Sequence, residues 1–172
     1  MKDAINAIIK QYDFNLLYAQ ALVKDVSAEQ MTFVPGAGLL NHPAFTLGHL
    51  VTGSAMMAED LGAPMEMPKG WAELFQRKGP NDQSRPDHDA NKYPEKIVLL
   101  AELEHQHEKV KSLLMLADDA LLSETTKWRF RENMPAMIDV VTFMCINHEA
   151  MHLGQLAAWR RAMNLPPALM TL

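Results

Sequence analysis

Residues 148 to 152 read HEAMH, two histidines four apart with a glutamate after the first. On a helix, side chains at i and i+4 leave one face with Cβ atoms roughly 6 Å apart. Both imidazoles can then reach one metal ion. The pattern is also the H-E-x-x-H of helical zinc proteases, where the glutamate acts as general base. A structural reading stands beside these: two core or groove histidines whose ring nitrogens are satisfied by neighbouring groups. The pair alone leaves the choice open.

A protease site needs a third protein ligand, commonly downstream of the second histidine. Residues 153 to 172 read LGQLAAWRRAMNLPPALMTL and hold no His, Asp, Glu or Cys. The extended metzincin pattern requires Gly where Gln155 stands and His where Ala158 stands. Proteases of this kind also hold extended substrate against a strand edge, and the sequence shows no sustained period-two alternation. A metalloprotease is therefore disfavoured. A third ligand must come from upstream, and His49 is the candidate. It falls on one stripe with Phe45, Thr52 and Met56. If the helix carrying it neighbours the helix of His148 and His152, three imidazoles share one face. Three neutral imidazoles with an open position form the usual layout of a catalytic zinc site, and also suit nickel or ferrous iron.

Two further residues are candidates for a part in the chemistry. Glu149 lies about 100° around the helix from His148. It leans toward a bound water as a general base, or faces solvent or another helix; the favoured reading is a structural role supporting the site. Gln155 shares the stripe of His148 and His152, where its amide orients a ligand or bonds across a helix contact. His107 is the fallback ligand, on the apolar stripe of its own helix. His105 is expected in solvent, His42 at a helix entrance and His88 in a loop. Cys145 reads as a small buried hydrophobe. Tyr12 and Trp159 point inward.

The elements that must position these residues are helices. Ile5, Ile8, Ile9, Tyr12, Leu16, Ala19 and Val23 mark a first helix over 3–24. Ser27 and Gln30 form a capping-box pattern after it. A second helix should begin at Pro43, which suits a first helical position, and end near Leu61 with Gly62 at C′. Residues 63–92 are a long Pro- and Gly-containing connection with one short helix, Trp71 to Arg77. Such a connection is a crossover or a cover over a site, with Arg77, Lys78, Arg85 and His88 as possible substrate contacts. A third helix runs from about Pro94 to Ala117, on Ile97, Leu100, Leu103, His107, Val110 and Leu114. A fourth runs from near Pro135 to about Asn164, on Met137, Val141, Met144, His148, His152, Gln155 and Trp159. The expectation is an all-α chain, a four-helix bundle in one domain, 1-172.

Composition limits the function classes. The chain has 172 residues, 48% hydrophobic and 22% charged, with a net charge of −5. An acidic chain lacks the positive field that binding nucleic-acid phosphates requires. No run of 18 apolar residues predicts a membrane span. The one cysteine allows no internal disulfide and fits a reducing, cytoplasmic setting. The N-terminus shows no signal-peptide h-region. Thirteen methionines suit irregular helical cores and pliable pockets.

The segment NHEAMHLGQLAAWRRAMN resembles the last long helix of the DinB/YfiT-like superfamily, with its H-x-x-x-H-x-G-Q core. NHPAFTLGHL resembles that family's second-helix segment, with Phe45 where tryptophan is frequent and His49 four residues on. The resemblance covers most of the chain. It implies an up-down-down-up bundle with a long connection after the second helix, often a homodimer, and a divalent metal on His49, His148 and His152. Relatives include thiol-dependent S-transferases and a mycothiol-dependent isomerase. The expectation that follows is a zinc site, with nickel or iron as alternatives, acting on a small-molecule substrate. A low-molecular-weight thiol is the expected cosubstrate. A metal-dependent hydrolase, or a non-catalytic bundle that binds a metal or small ligand, is the alternative.

Overall fold

A computed structural model describes residues 1–36, 38–79, 82 and 84–172. Four long helical stretches dominate it. They are α1 (Lys2–Val23), α2 (Pro43–Asp60), α4 (Lys96–Leu116), and a final stretch of three joined segments. Those segments are α6 (Met137–Thr142), a π-helical turn (Phe143–His148) and α7 (Glu149–Ala162). Two short helices, α3 (Trp71–Phe75) and α5 (Asp119–Ser123), lie in the connections. Among the described residues there is no strand, only an isolated bridge between Thr125 and Ala136.

The helix ends follow local chemistry. Ser27 and Gln30 make the reciprocal capping box, with Gln30 Oε1 accepting from the Ser27 N–H at 2.9 Å and Ser27 Oγ accepting from the Gln30 N–H at 3.4 Å. His42 caps α2 by accepting the Phe45 N–H at Nδ1, 3.1 Å away, and Pro43 takes the first helical position. Gly62 follows α2 with φ +91°, a left-handed conformation that favours glycine. Lys96 from α4 donates to the Val23 carbonyl at 3.1 Å and the Val26 carbonyl at 2.7 Å, closing the exposed end of α1.

The apolar core forms two blocks. One holds Leu16 to Val23 of α1, Ala44 to Val51 of α2, Leu99 and Leu103 of α4, and Leu153 to Trp159 of α7. The other holds Ile5 to Tyr12 of α1, Met57 to Leu61 around the end of α2, Val110 and Leu114 of α4, and Val140 to Cys145. α1 packs against α4 and α7, and α2 against α3, α4 and α7. Between the blocks lie buried polar side chains: Asn15, Thr52, Ser54, Gln106, His107 and Glu149.

Two details differ from the sequence reading. α2 is buried on nearly every side, from Pro43 to Ala58, rather than along one stripe. On α4 the inward residue near the start is Leu99, while Ile97 is 69% exposed. Trp159 points inward as its spacing predicts, filling the core and donating its indole N–H to the Phe33 carbonyl at 2.8 Å. Arg160 is buried and binds across the fold, to Asp25 and the carbonyls of Leu22 and Pro166. No helix of the described residues is long and apolar enough to cross a membrane.

Candidate metal centre

His49, on α2, is fixed by the connection that follows that helix. Its Nδ1 lies 2.9 Å from the Phe75 carbonyl. A carbonyl only accepts, so Nδ1 carries the hydrogen and Nε2 keeps its lone pair. Phe45, one turn earlier, stacks nearly parallel to the imidazole, with centroids 5.8 Å apart. Gly48 makes this possible. A Cβ there would fall 2.3 Å from the Phe75 ring, so only glycine lets α3 approach closely enough to deliver its carbonyl.

His148 ends the π-helical turn and His152 lies on the first turn of α7. A π-turn adds one residue to the helix and leaves backbone groups out of register. Asn15 of α1 meets them: Nδ2 donates to the Cys145 carbonyl at 3.1 Å and reaches the Ile146 carbonyl at 3.5 Å. The extra residue lets two faces serve two purposes. Cys145, Glu149, Leu153 and Leu156 point into the core, while His148 and His152 stand half-buried at its edge. The histidine stripe is thus the rim of the core and not its centre. Gly53 leaves room for the His148 ring; a Cβ there would lie 3.1 Å from Cε1 and 3.4 Å from Nδ1.

The three rings converge. Centroids are 5.4 Å apart for His49 and His148, and 4.6 Å for each pair that includes His152. One nitrogen from each ring lies within 4.8 Å of the others. Burial depresses all three basicities: His148 to about 4, with the His49 and Arg129 charges adding to it, and His152 to about 3, with His49 and His148 adding to it. His49 is lowered by burial and by Arg77, against the opposing Phe75 carbonyl. The rings are therefore neutral at pH 7 and offer lone pairs. His152 Nδ1 is buried with no hydrogen-bond partner among the described residues. Three uncharged nitrogen donors, one of them orphaned, fit a borderline divalent cation better than they fit one another.

Of the other sequence candidates, Glu149 and His107 pair with each other outside this cluster, while Gln155 stands beside it. Glu149 is buried, and its Oε1 lies 2.8 Å from His107 Nε2. Burial raises its carboxyl pKa, against the pull of His107. Gln155 is exposed, accepts from Asn41 Nδ2 at 3.4 Å, and its side chain opposes the fall in His152 basicity. His107 stacks on Tyr12 at 3.7 Å between centroids, in the polar layer, and is not a member of the cluster. Tyr12 also shares a 2.8 Å hydrogen bond with Ser54. Cys145 is buried, its thiol pushed up by burial and by Glu149, so it is a poor nucleophile. Asn15 was not among the sequence candidates, yet its place between Tyr12 and Ala19 on the inward face of α1 signals a buried polar group.

A family model described as the DinB superfamily matches residues 11–156. No curated protein matches the sequence significantly. A crystal structure described as a conserved protein from Enterococcus faecalis is similar in fold, with a TM-score of 0.68 and 19% identity over 91% of this chain and 95% of that one.

Proposed function

Because the chain belongs to the DinB superfamily, we propose that His49, His148 and His152 hold a divalent metal ion and that the site transfers a thiol to a small electrophile. The observation that carries this is the convergence of three neutral imidazole nitrogens within 4.8 Å, on two helices far apart in sequence. When bound, zinc, or nickel or iron in its place, supplies a positive charge that three neutral ligands leave uncompensated, favouring a low-molecular-weight thiol as its nucleophilic thiolate.

The chain's own residues do the rest. The Phe75 carbonyl holds His49 in one tautomer, Gly53 gives His148 its space, and Phe45 shields one face of His49 from water. The thiol sulfur then forms a bond to an electrophilic carbon, whose leaving group departs with the electron pair. Hydrolysis ranks second. A general base assists an attacking water, and the one carboxylate beside His148 in sequence, Glu149, is engaged with His107 and gives no such help.

The helix order supports a four-helix bundle of up-down-down-up topology in a single domain, residues 1–172. α1 and the final helix run from the second core block to the first, while α2 and α4 run the other way. Exposed Phe14 and Leu17 on α1 and Met151 on α7, helices that pack together, support a homodimer. A small-molecule thiol reaction suits the reducing cytoplasm.

Elemental analysis of untagged protein tests the reading, beside a His49→Ala/His148→Ala variant whose fold is checked by circular dichroism. About one zinc, nickel or iron per chain, lost in the variant, is expected. A thiol screen against chlorinated and epoxide electrophiles follows. Metal without any thiol-dependent turnover leaves a metal-binding bundle that catalyses nothing. No metal after reconstitution removes the proposal altogether.

A further inference from the structure

Arg77 binds three separate segments around the histidine cluster. Its Cζ lies 4.5 Å over the Phe45 ring, and that ring is nearly parallel to His49, with centroids 5.8 Å apart. Its Nη2 donates to Asn41 Oδ1 at 2.8 Å. Its Nη1 donates to the Ser84 carbonyl and to Ser84 Oγ, the latter at 3.3 Å. Ser84 is itself held, because Asp82 accepts from the Ser84 N–H and the Lys78 N–H, each at 2.9 Å. Asn41 extends the connection by donating to Gln155 Oε1 at 3.4 Å, and Gln155 stands beside His152.

Arg77 also lies two residues beyond Phe75, whose carbonyl fixes the His49 tautomer. Phe75 ends a five-residue helix, so that carbonyl has no partner within its own helix. Its direction depends on the chain to either side. Upstream, the Phe75 ring is buried against Gly48, and the Gln76 N–H donates to the Ala72 carbonyl at 3.0 Å. Downstream, Gln76 is extended, and Arg77 supplies the anchor. Electrostatics works against a cation here. The Arg77 charge opposes protonation of His49 and His152, and it opposes a bound metal ion in the same way. What the site gains is shape: a planar fork whose ends reach two segments while its face rests on a third.

We infer that Arg77 is a positioning residue of the metal centre, holding His49 in its ligating orientation through Phe45 and the Phe75 carbonyl, and steadying His152 through Asn41 and Gln155. The inference rests on the three-histidine reading above and names what holds two of its three ligands. Arg77 acts through these neighbours and not on the ion.

Zinc affinity is measured by competition with a chromophoric chelator for the parent, Arg77→Gln, Arg77→Lys and Asn41→Ala, with thermal melts confirming that each is folded. Arg77→Gln removes a positive charge near the ion, so charge alone predicts tighter zinc binding. Loss of positioning predicts weaker binding, by about tenfold, as for other partners that orient a ligand. Arg77→Lys keeps the charge but lacks the fork, and should bind zinc at least as weakly as Arg77→Gln. Asn41→Ala breaks one arm only and should lose several-fold; it carries the test if the Arg77 variants do not fold. The visible bands of cobalt-loaded protein should change shape in both Arg77 variants, because they follow ligand geometry rather than fold stability. In metal-free protein, nitrogen-15 NMR should show the His49 Nδ1–H exchanging with water faster in Arg77→Gln than in the parent. Zinc affinity unchanged or raised in folded Arg77→Gln, or equal to the parent in Arg77→Lys, overturns the inference. A parent that takes up no cobalt instead removes the three-histidine reading. The Nδ1–H measurement then decides alone, and equal exchange in the two proteins overturns a positioning role for Arg77.

Discussion

Glu149 Oε1 lies 2.8 Å from His107 Nε2, and both side chains are almost wholly shut off from water. The glutamate of the HEAMH stretch is therefore part of the polar layer that joins α4 to the final helix. Glu149 Oε2 and His107 Nδ1 have no further partner among the described residues. Removing one member leaves the other buried and alone, which costs about 3 kcal/mol. Glu149→Ala should lower Tm by about 6–12 °C while leaving one metal ion per chain. Glu149→Gln keeps a hydrogen bond to the ring and should lose much less. Loss of metal in a folded Glu149→Gln protein would place the carboxylate at the ion and contradict this division of roles.

Gly53 gives the opposite kind of prediction. In a helix interior Gly→Ala ordinarily stabilises by about 0.5–1 kcal/mol. Here the new Cβ would meet His148 Cε1 at 3.1 Å, so the ring must shift by a few tenths of an ångström. Gly53→Ala should leave Tm unchanged or raise it and weaken zinc binding about tenfold, since ligand rings tolerate little displacement. Competition with a chromophoric chelator measures this. Unchanged affinity would mean that His148 does not ligate from this position.

Much of this was legible in the sequence, for identifiable reasons. Helices announce themselves by spacing, and Pro43, Gly62 and the Ser27–Gln30 pair announce their ends, so the boundaries fell within a few residues. His148 and His152 share a face on any helix. His49 needed the added assumption that its helix is a neighbour, which the packing of α2 on α7 supplies. The π-turn was not legible, because nothing in FMCINH encodes an extra residue per turn. It is stabilised from a distance by Asn15, 130 positions away from Cys145. For the same reason the inward orientation of Glu149 could not be settled. Its face depends on the register that the π-turn sets. Gln155, placed on the histidine stripe by regular spacing, does stand beside His152, on the exposed side of that rim.

Asn15 should accordingly control the site without touching it. Asn15→Leu removes the side-chain donor to the Cys145 carbonyl at 3.1 Å and the longer contact to the Ile146 carbonyl, at a cost of about 1–3 kcal/mol. If the turn relaxes toward regular α-helix, His148 swings by about 100° away from the cluster. Zinc affinity should then fall more than tenfold while the circular dichroism spectrum stays helical. Asn15→Asp, which keeps the shape but cannot donate when ionised, should act in the same direction. Full zinc affinity in a folded Asn15→Leu protein would show that the turn holds itself.

His42 makes stability depend on pH independently of any metal. It is completely buried, with Nδ1 accepting the Phe45 N–H at 3.1 Å and Nε2–H donating to the Asp87 carbonyl at 3.0 Å. The ring is neutral in this arrangement, and protonating Nδ1 would break the cap of α2. Burial pushes its pKa from 6.5 down to about 4. Between those values the unfolded chain takes up a proton that the folded chain refuses. The contribution is therefore fully present above about pH 6.5 and is lost progressively as the pH falls toward 4, by about 3 kcal/mol in total. His148 and His152 shift in the same direction, so the informative quantity is a difference between proteins. His42→Asn supplies a good cap that does not titrate. Urea unfolding of metal-free protein at pH 7, 6 and 5 should show the parent losing stability faster than the variant, with the gap closing or reversing toward pH 5. Parallel pH profiles for the two proteins would mean that His42 keeps its ordinary basicity in the fold.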